Sequence, residues 1–381
     1  MTRPTMSDGS DLNNLIDAMV EEAAQKLIDA GVEEGAVQDR IAEAVRTGAE
    51  TSGRAIADDL LERAPDYMTY ERANHFGFME RVRLHYGPAL DGYSAVVTAC
   101  SEIGERVADY HHPNQSARAF ALLNLHAVGC LIAKEVLALI TQGFPSGALA
   151  RARSLHEVAV TASVITEHAE TPGCENLPER FYDHADVATW KDAQTYQETC
   201  ESLGYEPFPD QTMDRMRSAY DAARAKYEPE FTEKHGWAFP VFGRAGITFR
   251  DLEQKANLGH LRGHYKWASH MVHPDSKGML LNFRERRGRT VRLAGPTNVG
   301  FGDPAGMTLI SLVQVTIALL MYHSDDDLTA EDVLSMTTIM ALQQSTADRF
   351  VEGEASVDKA EAAIVARFGD EDPPEPPPPF S

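Results

Sequence analysis

From residue 12 to about residue 368 the apolar side chains of this chain recur three and four positions apart, and few runs alternate at period two. A helix returns to the same face every three to four residues, whereas a strand sends alternate side chains to opposite faces, so this spacing predicts an all-α multi-helix bundle. Residues 12–30 and 37–61 read as two acidic amphipathic helices around Gly31 and Gly35, forming a hairpin over 1–64 suited to homodimerisation, and Pro65 closes it. A main helical domain is expected over 65–368. Its helices fall at about 67–86, 89–110, 115–141, 147–168 with Ser146 as cap, 179–202, 213–227, 249–271, 305–323, 329–350 and 357–368. Between 279 and 293, MLLNFRERRGRTVRL has two short runs of β character around Gly288, which predicts a small hairpin or an extended basic arm. The prolines of DEDPPEPPPPFS forbid helix, so 369–381 is expected to be a disordered acidic tail.

Charge limits the partners. A formal net charge of −23 over 381 residues repels polyanions, so any nucleic acid must meet a local patch. One exists: 244–292 carries eleven Lys or Arg against four Asp or Glu, a net of +7 that leaves −30 for the rest. Arg284, Arg286, Arg287, Arg289 and Arg292 crowd the expected hairpin, which either presents guanidiniums to successive phosphates or docks on acidic helices of its own chain or a second subunit. Cys100, Cys130, Cys174 and Cys200 form no CxxC pair, so neither a disulfide framework nor a zinc site is expected, and no cofactor is implied. A reducing cytoplasm fits, and MTRPTMSDGSDLNN lacks the apolar stretch of a secretory signal. The most apolar run, 307–321, falls short of the roughly 20 residues that span a bilayer, so it is expected as a core helix and no membrane partner is predicted. GxxxxGK[ST] and GxGxxG phosphate loops are absent from the sequence.

Two stretches carry side chains able to do chemistry. In RARSLHEV, 151–158, Arg153 and Glu157 lie four apart on one helical face and pair, either as an internal ion pair or as part of a site, with His156 one position before Glu157. In HLRGHYKWASHMVHP, 260–274, a helix places His260 and His264 on one face and His270 and His273 on others, so one helix cannot build a four-histidine cage; metal is not expected. Tyr265, Ser269 and His273 share a polar stripe there. If Arg153 and Glu157 lie opposite it, the five make a polar cluster with Trp237 as an apolar wall. That cluster is either a network fixing helix register or a catalytic site. In the second case His273 or His270 serves as general base, an arginine neutralises an oxyanion, and Tyr265 or Ser269 orients the ligand.

Arg151 and His156 match the loose Arg-x4-His spacing of RNases of the HEPN superfamily. ARSLHE in a long helix, FYDHADVATWKDA after it, the loop GWAFP and the segment HYKWASHMVHP together resemble a bacterial family, domain-of-unknown-function family 5677. The matching positions are Arg153, Glu157, Trp237, Tyr265, Ser269 and His273, over about 122–278. The resemblance implies an all-helical fold with a recurrent polar cluster, in a cytoplasmic protein, and by association a place in phage defence or stress response; it brings no established reaction, and the basic arm lies outside it. Two alternative functions are therefore open to the chain, the first being the expected one. One is binding or cleavage of RNA or another phosphate-bearing ligand, as a metal-independent endoribonuclease in the cleaving form. The other is a non-catalytic oligomeric interaction or sensor protein.

Overall fold

The computed structural model describes residues 20–21, 24–31, 34–111, 116–272, 276–280, 283–286, 289–323 and 328–369. These fall in two compact units, one up to Arg81 and one from Val82 onwards. The fold is all-α, as the apolar spacing predicts. The helices are α1 (Glu34–Tyr110), α2 (Ala117–Thr141), α3 (Pro145–His168), α4 (Leu177–Thr199), α5 (Asp210–Lys226), α6 (Phe249–Lys255), α7 (Arg262–Val272) and α8 (Ser276–Leu280). A two-stranded antiparallel ribbon, β1 (Phe283–Arg286) and β2 (Arg289–Arg292), follows, and then α9 (Gly302–His323) and α10 (Ala330–Phe368). The first expected acidic helix lies mostly, and the proline tail almost wholly, outside the described residues.

In the second unit α9 is central, packed against α3, α2 and α10, while α3 also packs on α2 and α7. Its fully buried residues include Leu309, Leu312, Leu319 and Leu320. Both α2 and α9 are long and apolar enough, by length and composition alone, to cross a bilayer. Here their apolar faces meet other helices: Gly129 of α2 approaches Val315 of α9 and Leu155 of α3.

Several expected boundaries are corrected. Gly87-Pro88 does not end a helix: α1 runs through it, and through Pro65, for 77 residues. A proline removes one backbone donor, but Tyr86, Ala89 and Tyr93 on either side are fully buried, and that packing holds the helix. The helix expected from 115 is described from Ala117, with Ser116 capping α2 by accepting from the Ala119 amide. Ser146 does not cap α3; the helix starts at Pro145, whose fixed φ suits the first turn. The single helix expected over 249–271 is broken after α6 by Asn257, at a left-handed φ of 53°, and by a 3-10 turn at Gly259–Leu261. Finally, 329–350 and 357–368 are one helix, opened by a Thr329–Asp332 capping box.

Gly353 lies within the joined stretch. It sits where α10 crosses α1, and a Cβ there would lie 2.4 Å from Cδ1 of Tyr86. The Tyr86 ring is itself fixed against Phe301, 4.9 Å between centroids, with its hydroxyl donating to the Asn298 carbonyl at 3.0 Å. Gly353→Ala would gain about 1 kcal/mol of helix propensity and lose about 1–3 kcal/mol to overpacking. The expected result is a lower thermal midpoint, by a few degrees; a raised midpoint would mean the crossing can open freely.

Candidate functional site

The side chains of 151–158 divide as a helix dictates. Arg153 and Glu157, four apart on α3, pair at 3.2 Å on the outer side, while His156 turns inward and is fully buried. Across from them α7 brings Tyr265, 8% exposed, into the core cluster of Leu149, Ala152, Ala268 and Met307. The Tyr265 hydroxyl joins the pair: Arg153 Nη2 donates to it at 2.8 Å, and it donates to Glu157 Oε1 at 2.8 Å. Arg153 and Arg262 both hold their guanidinium carbons near the Tyr265 ring, at 4.8 and 5.2 Å from its centroid. Such contacts favour the cationic side chains where water is scarce.

Beneath this layer is a second one that the sequence did not announce. His156 Nε2 meets Glu253 Oε1 at 3.1 Å, and the other carboxylate oxygen accepts from Arg262 Nη1 at 2.6 Å. Glu253 is fully buried on α6, and Phe249 of the same helix packs on Tyr265 at 4.8 Å and edge-on to His156 at 5.9 Å. Burial lowers the pKa of His156 from its ordinary value, against the opposing pull of Glu253. A neutral ring then donates from Nε2 to the carboxylate and leaves Nδ1, which has no protein partner, as the acceptor. Burial is also the first cause of the raised pKa of Tyr265, with the bond to Glu157 adding to it and Arg153 opposing it. The hydroxyl therefore stays protonated and remains a donor near neutral pH.

Each cation in the node thus has its own carboxylate: Arg153 has Glu157, and Arg262 has Glu253. A phosphate approaching Arg153 would have to displace Glu157, whose side chain is 42% exposed. The node ties α3, α6 and α7 together and is electrically balanced.

Some expected members are elsewhere. Ser269 does not join; its hydroxyl bonds back to the Tyr265 carbonyl of its own helix at 2.8 Å. His270 is half-buried on α7, and His273 lies outside the described residues. Trp237 does not wall the node: its ring packs edge-on against Phe181, and its carbonyl accepts from the buried Arg180, which also pairs with Glu228. Arg151 and His156 form no joint site, because Arg151 pairs with Glu135 of α2 at the surface while His156 is sealed. His260 stands in the 3-10 turn, so it and His264 are not neighbours on one α-helix. Among the described residues no cluster of three or more His, Cys, Asp or Glu could hold a metal.

Glu253, Arg262 and Phe249 are the residues that sequence reasoning missed. The signal available was His156 itself: an apolar helix face that swallows an imidazole needs a polar partner from another element. The basic ribbon is where the spacing put it. Its ladder sets Phe283 opposite Arg292, Arg284 opposite Val291, and Arg286 opposite Arg289. Arg287 lies outside the described residues, and exposed Arg292 stacks over Phe283 at 5.2 Å.

Bundle, neutral node and ribbon define an all-α protein with a braced three-helix junction and a basic two-stranded appendage. Residues 119–289 of it match the family described as "Family of unknown function (DUF5677)", which bears out the resemblance over that segment. The match runs past Gly278 to Arg289, so most of the ribbon, expected outside the resemblance, lies within it. No curated protein and no solved structure matches the chain.

Proposed function

We propose that the chain binds RNA through the phosphates, using the β1–β2 ribbon, and that the Arg153–Glu157–Tyr265 node braces the helices carrying it rather than cleaving the strand. The observation that carries this reading is the ribbon's register. Residues opposite one another in a ladder belong to one face, so Arg284, Arg286 and Arg289 share a face of a ribbon only four residues long. Arginine is the residue type whose planar fork suits phosphate oxygens, and the acidic remainder of the chain confines a polyanion to this patch. The node does not support cleavage by His156. That imidazole is fully buried and bonded to Glu253, beyond the reach of a ribose hydroxyl.

Binding to a labelled single-stranded RNA should weaken with salt, with a log–log slope of about −2 to −3 for three or four neutralised phosphates. The double variant Arg286→Glu, Arg289→Glu should lose more than tenfold in affinity with an unchanged unfolding midpoint, and the RNA should be recovered intact. Affinity that ignores both salt and the double variant would end this reading. Cleavage lost in Arg153→Ala would replace it with the endoribonuclease.

A further inference from the structure

We propose that a cleft between α2, α3 and α9 binds a small organic cation, an ammonium or amidinium on a compact apolar body, held by Glu167 and Gln314. The cleft has a volume of about 370 Å³ and is walled on its apolar side by Leu258, Ile317, Ala318 and Met321. That volume lies at the small end of the range for ligand pockets, about 300–1,000 Å³. It is a different place from the Tyr265 node: on α3, Glu167 is fourteen residues beyond Arg153, about 20 Å along the helix.

The sign of the ligand follows from what the polar lining has left over. Arg118 is the strong cation of the cleft, and its charge is spoken for. One end of its guanidinium pairs with Glu170, the other donates to the Thr166 carbonyl at 2.7 Å, and the group lies 5.0 Å from the centroid of Tyr322. The hydroxyl of Thr166 is likewise used, donating to the Ala318 carbonyl at 3.2 Å. Glu167 is then a second carboxylate without a matching cation of that strength. Glu167 is exposed at the mouth of the cleft, and its partial burial there raises its pKa, with neighbouring His168 opposing the shift.

Gln314 supplies the independent observation. Its Oε1 is buried on α9, the most apolar helix of the bundle, and has no hydrogen-bond partner. A buried acceptor left unpaired is destabilising until a donor arrives. The cleft therefore offers an unpaired carbonyl oxygen and an excess carboxylate, next to an apolar wall on the same helix. A ligand that fits has several N–H donors and a positive charge at one end and hydrocarbon at the other. An anion meets Glu167 and Glu170, and a neutral alcohol answers only one acceptor. One N–H of Arg118, at Nε, is also buried and unpaired, so a ligand carrying an acceptor beside its charge gains a further bond.

Benzylamine, benzyl alcohol and benzoate, titrated calorimetrically into the full chain at neutral pH, separate the possibilities. Saturable one-to-one binding of benzylamine is expected, at least tenfold tighter than of benzyl alcohol, with no binding of benzoate. Glu167→Gln should weaken benzylamine about tenfold, and Ile317→Trp, which fills the cleft from its apolar wall, should abolish the binding while the protein still unfolds cooperatively. Preferential binding of benzoate would mean that the Gln314 amide presents its NH2 group to the cleft, and the proposal would be wrong. It would be equally wrong if benzylamine failed to bind, or bound with the same affinity to wild type and both folded variants.

Discussion

Glu253→Ala should cost about 3 kcal/mol of folding stability, the lower end of the range for breaking a buried pair. The carboxylate is fully buried and serves two donors at once, His156 Nε2 and Arg262 Nη1. Removing it leaves an imidazole with no exposure and no partner on either nitrogen, and a cavity where the side chain stood. Arg262 softens the loss, because its side chain is 30% exposed and can turn to water. Glu253→Gln should fall between the two: its carbonyl can still accept from His156, but its NH2 group then faces the Arg262 donors.

The comparison that gives this result meaning is Glu157→Ala. Glu157 belongs to the same node and bonds both Arg153 and Tyr265, yet its side chain is 42% exposed. Water can replace it, so its loss should cost about 1 kcal/mol or less. Urea unfolding of both variants, with unchanged m-values, measures the contrast. Equal losses would place the strength of the junction in its outer layer, and the assignment of Glu253 as the brace would fail.

How far the sequence reaches into this molecule can be judged residue by residue. Helical class was legible because the apolar spacing is set by 3.6 residues per turn and needs no tertiary information. The Arg153–Glu157 pair was legible for the same reason, being four apart on one helix. Tyr265 was placed on a polar stripe, and the structure does bring it opposite that pair, but Ser269 on the same stripe satisfies itself within α7. The stripe constrains which residues can face a partner, not which ones do. Glu253 stood outside any pattern: its bond to His156 spans 97 positions, and in the sequence it is one acid within a basic segment. The break at Asn257 hid it further, since a continuous helix over 249–271 gives Glu253 and Tyr265 a fixed relation that the structure does not have. At Gly87-Pro88 local punctuation points to a helix end, and burial of Tyr86 between α1 and α10 overrules it.

Acidification should unfold this protein early, and His126 should be a principal cause. The ring is buried on α2, 3.1 Å from Thr316 Oγ1, with Cys130 Sγ at 3.9 Å. A Cβ on Gly104 would lie 2.4 Å from the ring, so α1 closes over it with no room for a water. Burial lowers the His126 pKa to about 4, partly offset by a hydrogen bond to the Cys100 backbone. In the unfolded chain the same imidazole takes its proton near its ordinary value of 6.5. Above pH 6.5 neither state is protonated, and the contribution is constant. Between 6.5 and 4 the unfolded state holds more protons, so stability falls as pH falls; below 4 both states are charged, and the loss levels off. At about 1.4 kcal/mol for each unit, the loss over this window is about 3 kcal/mol, a large part of what a domain has. His156, His184 and His235 are lowered in the same direction, chiefly by burial, and steepen the fall. His126→Gln keeps a polar group beside Thr316 but cannot titrate. It should be less stable than wild type at pH 7 and should lose less on going to pH 4.5, so the two curves of unfolding free energy against pH converge. Parallel curves would show that folding does not lower the His126 pKa, and the assignment of the acid loss to this ring would fail.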